Sequence, residues 1–311
     1  MELDKTAIVL KQRSLLDLID LSLVVLRVYW KPLLGYAAIG VVPFLLLNFF
    51  ALRIIVDYDA ILSYDYMIFE ETPLRIRYVL FLAGLVFIQT PVAMLGVTYY
   101  LGQALFLKQP TLREFRATVW QVFAGIVLIL GLFRLCAIAP IVVALLPAYG
   151  EYSSILELFW LGFVAFGIAF AVRSVRPFAP EILVLEQPRL LAQADLSPTQ
   201  SITYGTRTKS LHNQLSGDLV GRAMLMSLAI MMTLTAFTLG ELFVGGIFFG
   251  VWSWEWWMDK ILFPLNLWLV ALWATVFRFL SYIDCRTRLE GWELDLRLRA
   301  EARRLMGALD P

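Results

Sequence analysis

The stretch RSVRPFAPEILVLEQPRLLAQADLSPTQSITYGTRTKSLHNQLSGDLVGR, from Arg173 to Arg222, is the one long polar interruption in a chain otherwise built of apolar runs. Runs of about 20 apolar residues lie on both sides of it, and runs of that length are typical of transmembrane helices. Of the 311 residues, 60% are hydrophobic and 16% are charged, whereas soluble domains carry about 25% charged residues. The sequence therefore predicts an integral membrane protein with one large polar segment.

Six apolar runs predict six transmembrane helices, four before the polar segment and two after it. In 14–31 the polar residues recur every three or four positions, which is typical of an amphipathic helix at the membrane surface. The tail is rich in Leu, Ala, Glu and Arg, which favours a second amphipathic helix. The predicted fold class is all-α, a polytopic integral membrane protein with amphipathic interfacial or cytoplasmic helices at both ends. The predicted spans are 33–52, 78–105, 119–146, 155–172, 219–249 and 261–283.

This pattern divides the chain into five regions. Within the central region, Ser197-Pro-Thr-Gln is a good start for a short helix ending near His212, and Ser216 is predicted to cap the fifth span. Near the end of that span, Gly246 and Gly250 form a GxxxG pair, which predicts close helix packing. The regions are an amphipathic segment (1–31), transmembrane helices 1 to 4 (32–172), a central cytoplasmic loop (173–218), transmembrane helices 5 and 6 (219–283) and an amphipathic tail helix (284–311).

Most of the 26 Lys and Arg residues lie near alternate ends of the predicted spans. Basic residues that flank membrane helices are retained on the cytoplasmic side. The N-terminal segment, the connection at 108–116, the central segment and the tail are therefore predicted to be cytoplasmic. The acidic segment after the first span and the Trp-rich turn before the sixth are predicted to lie outside, so both termini are cytoplasmic.

Arg134 lies near the middle of the third predicted span, where a charged side chain costs about 2.5–3.5 kcal/mol and needs a partner. Glu241, in the fifth span, is predicted to lie at a similar depth, and Gln89 in the second span is the next candidate. These three residues form a candidate intramembrane polar site. Two interpretations stay open: a site for a substrate, a lipid headgroup or an ion, or a structural pair that fixes helix packing.

Residues typical of catalysis or metal binding are few. The chain has one histidine, His212, and two distant cysteines, Cys136 and Cys285, for which free thiols are expected. Ser216, His212 and Asp218 have the residue types of a catalytic triad, but a helix cap and a surface histidine explain them better. We predict no catalytic residue, no cofactor, no metal and no nucleic-acid partner.

The ending FLSYIDCRTRLEGWELDLRLRAE carries a Tyr-x-Asp-x-Arg-x-Arg-x-Glu-Gly-aromatic pattern. Together with RSLLDLIDLSLVVLRVYWKPLLGYAAIGVVPFLLL, LKQPTLREFRATVWQVFAGIVLILGL and FAPEILVLEQ, it resembles bacterial six-helix membrane proteins of the glycerophosphoryl diester phosphodiesterase membrane-domain type. The resemblance implies a bacterial origin, hence the bacterial cytoplasmic (inner) membrane, and a six-helix fold. It does not imply phosphodiesterase activity, because this chain leaves no room for the catalytic barrel. The pattern forms a candidate interfacial or partner motif: Tyr282, Asp284, Arg286, Arg288, Glu290, Gly291 and Trp292.

Two classes of function stay open. The first is a non-enzymatic scaffold or subunit of a bacterial envelope-related complex, with a protein partner in the cytoplasm or the membrane. The second is a transporter or lipid-handling protein that uses Arg134 and Glu241. An intramembrane enzyme would need a His or Cys cluster or a carboxylate pair within a span, and we predict none. The lipid bilayer is an expected partner, with anionic headgroups held at the basic faces.

Overall fold

The structure, a computed structural model, describes residues 12–55, 68–134, 167, 170–190, 203–250, 252 and 257–291. Within these ranges the secondary structure is helical apart from one isolated β-bridge, between Arg189 and Thr203, which confirms the all-α prediction. In chain order the helices are α1 Leu15–Ile55, α2 Ile68–Ala93, α3 Leu95–Leu105, α4 Leu112–Gln121, α5 Phe123–Gly125 with the π-helical Ile126–Phe133, α6 Ala179–Glu181 with the π-helical Ile182–Glu186, α7 Tyr204–His212, α8 Ser216–Phe249, and α9 Phe263–Leu289, which the π-helical Met258–Leu262 precedes.

Three described helices are long and apolar enough to cross a membrane, and there are up to five spans if each of two bent helix pairs is one span. The bent pairs are α2 with α3, at 43°, and α4 with α5, at 64°. These helices indicate a multi-pass membrane protein. Six spans are not confirmed, because the predicted fourth span and the later part of the third lie mostly outside the described residues.

The predicted surface helix and the predicted first span form one continuous helix, α1, with a kink at Tyr29 (φ −108°, ψ 20°). Pro32 explains the kink, because proline lacks the N–H that would bond to the carbonyl of Val28 and its ring crowds that carbonyl. The change in sequence pattern near residue 31 therefore marks a change of direction within a helix.

The bend between α2 and α3 follows Pro91, near the end of α2. Since proline has no N–H, the carbonyl of Phe87 four residues earlier loses its helical partner. Arg173 replaces the missing donor: its guanidinium donates to the carbonyl oxygens of Phe87 and Ile88 and lies 4.5 Å from the centre of the Phe87 ring. The first residue of the polar segment thus completes the hydrogen bonding of a broken helix.

α1, α2, α3 and α9 pack against one another and form the central bundle. Two glycines set the distance between α1 and the α2–α3 bend. A Cβ at Gly40 would lie 2.8 Å from the carbonyl carbon of Ala93, and a Cβ at Gly96 would lie 2.9 Å from the carbonyl oxygen of Tyr36. Glycine is needed at both positions because the backbones approach closely there.

α6, the FAPEILVLEQ segment at 178–187, lies in the interior of the protein rather than on its surface. It packs against α3, α5 and α7, and Phe178, Glu181 and Ile182 are each fully buried. Gln187 ends it in the left-handed conformation (φ 49°). The first part of the polar segment is therefore a buried helix within the bundle.

The starts of α7 and α8 differ from the sequence interpretation. α7 begins at Tyr204, where the Thr203 side chain accepts a hydrogen bond from the Thr206 N–H, and the predicted start at Ser197 lies outside the described residues. α8 begins at Ser216 with no side-chain cap at the preceding residue, so the prediction that Ser216 caps the span is wrong.

Gly246 and Gly250 lie at the end of α8, where the described residues form a turn and no contact of this pair with another helix. A Cβ at Gly246 would lie 2.5 Å from the ring of Trp252, so the glycine makes room for that indole. Gly250 has φ +67° and ends the helix, a conformation that favours glycine. Among the described residues, this pair therefore forms a turn that places Trp252 against α8, and the predicted close helix packing is not found there.

Replacing Gly40 by Ala should lower the stability of the folded protein by about 1–3 kcal/mol, because the added methyl group overlaps the Ala93 backbone. The measurement is the thermal unfolding midpoint of the purified protein in detergent. Gly35→Ala is the matched control, since a Cβ at Gly35 of the same helix meets nothing within 4 Å. Equal midpoints for the two variants would contradict the close approach at Gly40.

Candidate functional site

The last three turns of α9 carry charged and tyrosine side chains in two stripes. Residues four apart lie on the same face of a helix, so the Tyr-x-Asp-x-Arg-x-Arg-x-Glu pattern separates into two sets that point to different neighbours. One stripe, with Arg278 one turn before the pattern, faces α6 and α7, and the other faces α8 and the segment before α1. The stripes are Arg278, Tyr282, Arg286 and Glu290, and Asp284 with Arg288.

Glu186, at the end of α6, lies between the first stripe of α9 and Arg207 of α7. We call these contacts of Glu186, Arg207, Tyr282, Arg286 and Glu290 the Glu186 network. The Tyr282 hydroxyl donates to Glu186 Oε1 at 2.5 Å. From α7, Arg207 donates to both Glu186 oxygens and, through Nη2, to Glu290 Oε1 at 2.5 Å. Arg286 completes the ring with bonds of 3.0 and 2.7 Å to Glu290 Oε2. The network locks α6, α7 and α9 together.

One and a half turns deeper in the interior, Glu181 of α6 pairs with Arg278 of α9. Arg278 Nε donates to Glu181 Oε1 at 2.7 Å, and Glu181 is fully buried. Glu181 Oε2 and Arg278 Nη2 have no hydrogen-bond partner among the described residues. A buried carboxylate without a cation is strongly unfavourable. α6 can therefore lie inside the bundle because Arg278 neutralises Glu181.

The second stripe forms the Asp284 network. Asp284, 3% exposed, accepts hydrogen bonds from the Arg13 backbone N–H at 2.9 Å and from Arg222 Nη2 at 2.6 Å, and it forms an ion pair with Arg288, whose Nε lies 2.9 Å from Oδ2. Arg222 also donates to Asp218 at 2.8 Å, and Arg288 Nη2 donates to the Arg13 carbonyl at 2.7 Å. The network therefore ties the chain before α1 and the start of α8 to the end of α9.

Electrostatics favour the charged forms in the Glu186 network. Burial raises the pKa of Glu290, but the hydrogen bonds from Arg286 and Arg207 lower it by more. The pKa of Glu290 is therefore below its ordinary value. Burial lowers the pKa of Arg207, but its hydrogen bonds to Glu186 and Glu290 raise it more. Both groups therefore stay ionised at neutral pH.

The candidate partner motif is thus used within the protein. Of its residues, Tyr282, Asp284, Arg288 and Glu290 bond to other parts of the described chain, and Arg286 bonds to Glu290 and lies 3.6 Å from Glu186. Gly291 follows with φ +64°, a conformation that favours glycine, and Trp292 lies outside the described residues. Sequence reasoning identified the motif but not its partners Glu181, Glu186, Arg207 and Arg222, although an acid within the apolar run APEILVLE signals a need for a cation.

The candidate intramembrane site of Arg134, Glu241 and Gln89 is spread over three sets of partners. Arg134 donates to the backbone carbonyl of Arg176, and Glu241 accepts from Asn266 Nδ2 at 2.7 Å. The ion pairs within the described part of the chain do not include one between Arg134 and Glu241.

Gln89 and Asn48 form a reciprocal amide pair between α1 and α2. Asn48 Nδ2 donates to Gln89 Oε1 at 2.9 Å, and Gln89 Nε2 donates to Asn48 Oδ1 at 2.6 Å. Both side chains are buried, and the two bonds satisfy the amide groups inside the central bundle. Helix packing accounts for these contacts.

His212 is buried, 2% exposed, and the prediction of a surface histidine is wrong. Its Nδ1 lies 2.7 Å from the carbonyl oxygen of Thr208, and its Nε2 accepts from the Phe178 N–H at 3.4 Å. Burial lowers the pKa of His212 to about 4; the bond to Thr208 opposes this shift, and the charges of Arg134 and Arg176 add to it. The imidazole is therefore neutral at pH 7 and joins α7 to α6.

Neither a metal centre nor a relative accounts for this arrangement. Among the described residues, no group of three or more His, Cys, Asp and Glu side chains could hold a metal ion. Cys285 is a free, buried thiol, and Cys136 lies outside the described ranges. No family model, no curated protein and no solved structure matches this chain. The resemblance to the phosphodiesterase membrane-domain type therefore stays a prediction.

Replacing Asp284 by Asn should destabilise the protein by about 3 kcal/mol, because the buried Arg222 would lose its buried carboxylate partner and keep only the exposed Asp218. The thermal unfolding midpoint in detergent measures the loss. Asp20→Asn is the control, since Asp20 is an exposed carboxylate on α1 and its loss should change the midpoint little. Midpoints that fall equally would refute the role of the Asp284 network.

The stability of the protein should fall below pH 6.5 because of His212. The unfolded histidine takes up a proton near pH 6.5, while the folded one stays neutral down to about pH 4. Its contribution is complete above pH 6.5 and is lost as the pH falls toward 4, with a loss of about 2 kcal/mol by pH 5. Unfolding midpoints from pH 7.5 to 5 should therefore decrease less in His212→Gln than in the wild type, and parallel curves would contradict this.

Proposed function

We propose that this protein is a non-enzymatic integral membrane protein that acts as a scaffold or subunit of a bacterial envelope-related complex, and that α8 is the helix that meets its membrane partner. The exposed face of α8 is the observation that carries the proposal. Only 6% of the apolar window of α8 is buried within the protein, against 56% for α9, although both are candidate spans.

Seven of the exposed residues of α8 form a continuous stripe. They recur at steps of three and four, which places them on one face of the helix. The stripe begins with two glycines at which an added Cβ would meet nothing within 4 Å, and it continues through methionine and leucine. Its residues are Gly217, Gly221, Met224, Leu228, Met231, Thr235 and Leu239, all exposed.

This composition favours another transmembrane helix over lipid as the occupant of the stripe. Glycines four residues apart let two helix backbones approach closely, which lipid chains do not need. Glycine also disfavours a helix by about 1 kcal/mol relative to alanine, so its repetition on an open face calls for a compensating contact. Methionine is flexible and polarisable, and it adapts to the surface of a partner.

The ion networks support a structural role for the charged residues. Asp284 and Glu181 are buried among arginines of the same chain, and Glu186 accepts hydrogen bonds from Arg207 and Tyr282. Carboxylates used in this way keep four chain segments in a fixed arrangement around α9. A scaffold needs that rigidity to present α8 in one orientation.

The proposed location is the bacterial cytoplasmic membrane with both termini in the cytoplasm. Its support is the distribution of Lys and Arg along the sequence. The alternative, a transporter or lipid-handling protein built on Arg134, Glu241 and Gln89, has less support. The described contacts give these residues three different sets of partners.

Native mass spectrometry of the protein extracted in mild detergent, with Gly221→Leu compared to Gly240→Leu, tests the proposal. Both positions have open space for a side chain, and leucine is a better helix former than glycine. Gly240 lies roughly 140° around the helix from Gly217 at 3.6 residues per turn, away from the stripe. We expect a complex with a second polypeptide in the wild type and in Gly240→Leu, and its loss in Gly221→Leu.

Two outcomes would contradict the proposal. One is a wild-type chain that is alone or bound only to a second copy of itself. The other is a complex that survives Gly221→Leu as well as it survives Gly240→Leu, which would place the partner on another surface.

A further inference from the structure

α4 is a short amphipathic helix that lies against the bundle on one side only. Thr111 and Glu114 cap its start reciprocally, so the helix has a defined beginning. None of its residues is buried, and it turns by 64° into α5, which continues the candidate span. A polar helix at such an angle to a span is typical of a segment that lies in the membrane interface.

Aromatic contacts fix which side of α4 faces the protein. The Phe115 ring packs against Tyr36 of α1 at 5.8 Å and against Tyr99 of α3 at 5.4 Å. Next to them, the Tyr36 hydroxyl donates to the Pro110 carbonyl at 2.9 Å. Because these contacts hold the Phe115 side, the opposite side of α4 faces away from the bundle.

Two arginines and two aromatic residues form a stripe on that outward side. Arg113, Arg116 and Trp120 follow one another at steps of three and four, so they share a face of α4, and Phe123 lies at the start of α5 beyond the bend. Arg113 and Arg116 are exposed, Trp120 is 74% exposed and Phe123 is 48% exposed. The rings of Trp120 and Phe123 lie 5.3 Å apart and form the apolar end of the stripe.

Unlike the arginines of α9, Arg113 and Arg116 form no ion pair with another described residue. The ion pairs of the described residues include Arg222, Arg278, Arg286 and Arg288 but neither Arg113 nor Arg116. The nearby acid, Glu114, accepts from the Thr111 N–H at 3.2 Å and serves the cap. Lys108, exposed just before α4, adds a third positive charge on this side of the chain.

We propose that this stripe is a binding site for the headgroups of anionic phospholipids, with Arg113 and Arg116 on the phosphates and Trp120 and Phe123 at the border of the acyl chains. The planar guanidinium matches the oxygen geometry of a phosphate. Indole rings favour the membrane–water interface. The order along the chain fits this division, because the arginines precede the aromatics and the apolar α5 follows them.

The test is lipid retention by the purified full chain in native mass spectrometry, with phosphatidylglycerol and phosphatidylcholine added in equal amounts. The wild type should retain phosphatidylglycerol in preference. Arg113→Gln and Arg116→Gln should each weaken that retention about fivefold, and the double variant on the order of 20-fold. The control is Lys209→Gln, which removes one exposed charge from α7 and should change nothing.

Two further measurements keep the result decisive. The unfolding midpoint of each variant tests whether the fold is intact. If the double glutamine variant is unstable, the double variant Arg113→Lys with Arg116→Lys takes its place. It keeps both charges and should lose only the bidentate hydrogen bonds to the phosphates. Inorganic phosphate serves as a competitor. Equal losses in Lys209→Gln and in the α4 variants, or displacement of the lipid by millimolar phosphate, would overturn the proposal of a lipid site on α4.

Discussion

Charges in an apolar bundle need partners from the same chain, and α9 supplies them for α6, α7, α8 and the segment before α1. Arg278 neutralises Glu181 inside the bundle, and Arg222 and Arg288 neutralise Asp284 at its end. Since the two stripes of α9 point to different sides, a rotation of this helix would break both networks at once. The positions of α6, α7 and α8 therefore follow from the orientation of one helix, and a buried charge without its partner would cost several kcal/mol.

Two groups of arginines in the described chain have different consequences. Those around α9 are paired with carboxylates and determine the internal arrangement, so they have little attraction left for ligands. Those on α4 face outward beside a tryptophan and act on the surroundings. The glycine and methionine stripe of α8 is a third kind of surface, without charge. One internal role and two outward roles can thus be separated by the burial and pairing of a few side chains.

Much of this architecture could be predicted from sequence. Apolar runs gave α8 and α9 and the all-α class, and the separate amphipathic segment at α4 was visible in its spacing. The pattern at the end of α9 marked the residues that build both networks, but not their partners, because sequence spacing does not show which distant acids fold against them. His212 was placed on the surface because its neighbours are polar; only the tertiary contact with Phe178 buries it. The kink in α1 could be located near Pro32, but its continuity through Tyr29 depends on packing against α9.

The pairing of Glu181 with Arg278 has a consequence for biosynthesis. The two residues are 97 positions apart, and at 5–20 residues per second the ribosome needs roughly 5 to 20 seconds to get from one to the other. During that interval α6 has been made, but its carboxylate lacks the cation that permits burial. The nascent chain must therefore keep this segment in a polar environment until α9 is inserted. The bundle can therefore pack fully only after α9, its last described helix, has been made. A chain that stops earlier leaves the charged segment α6 exposed to quality control.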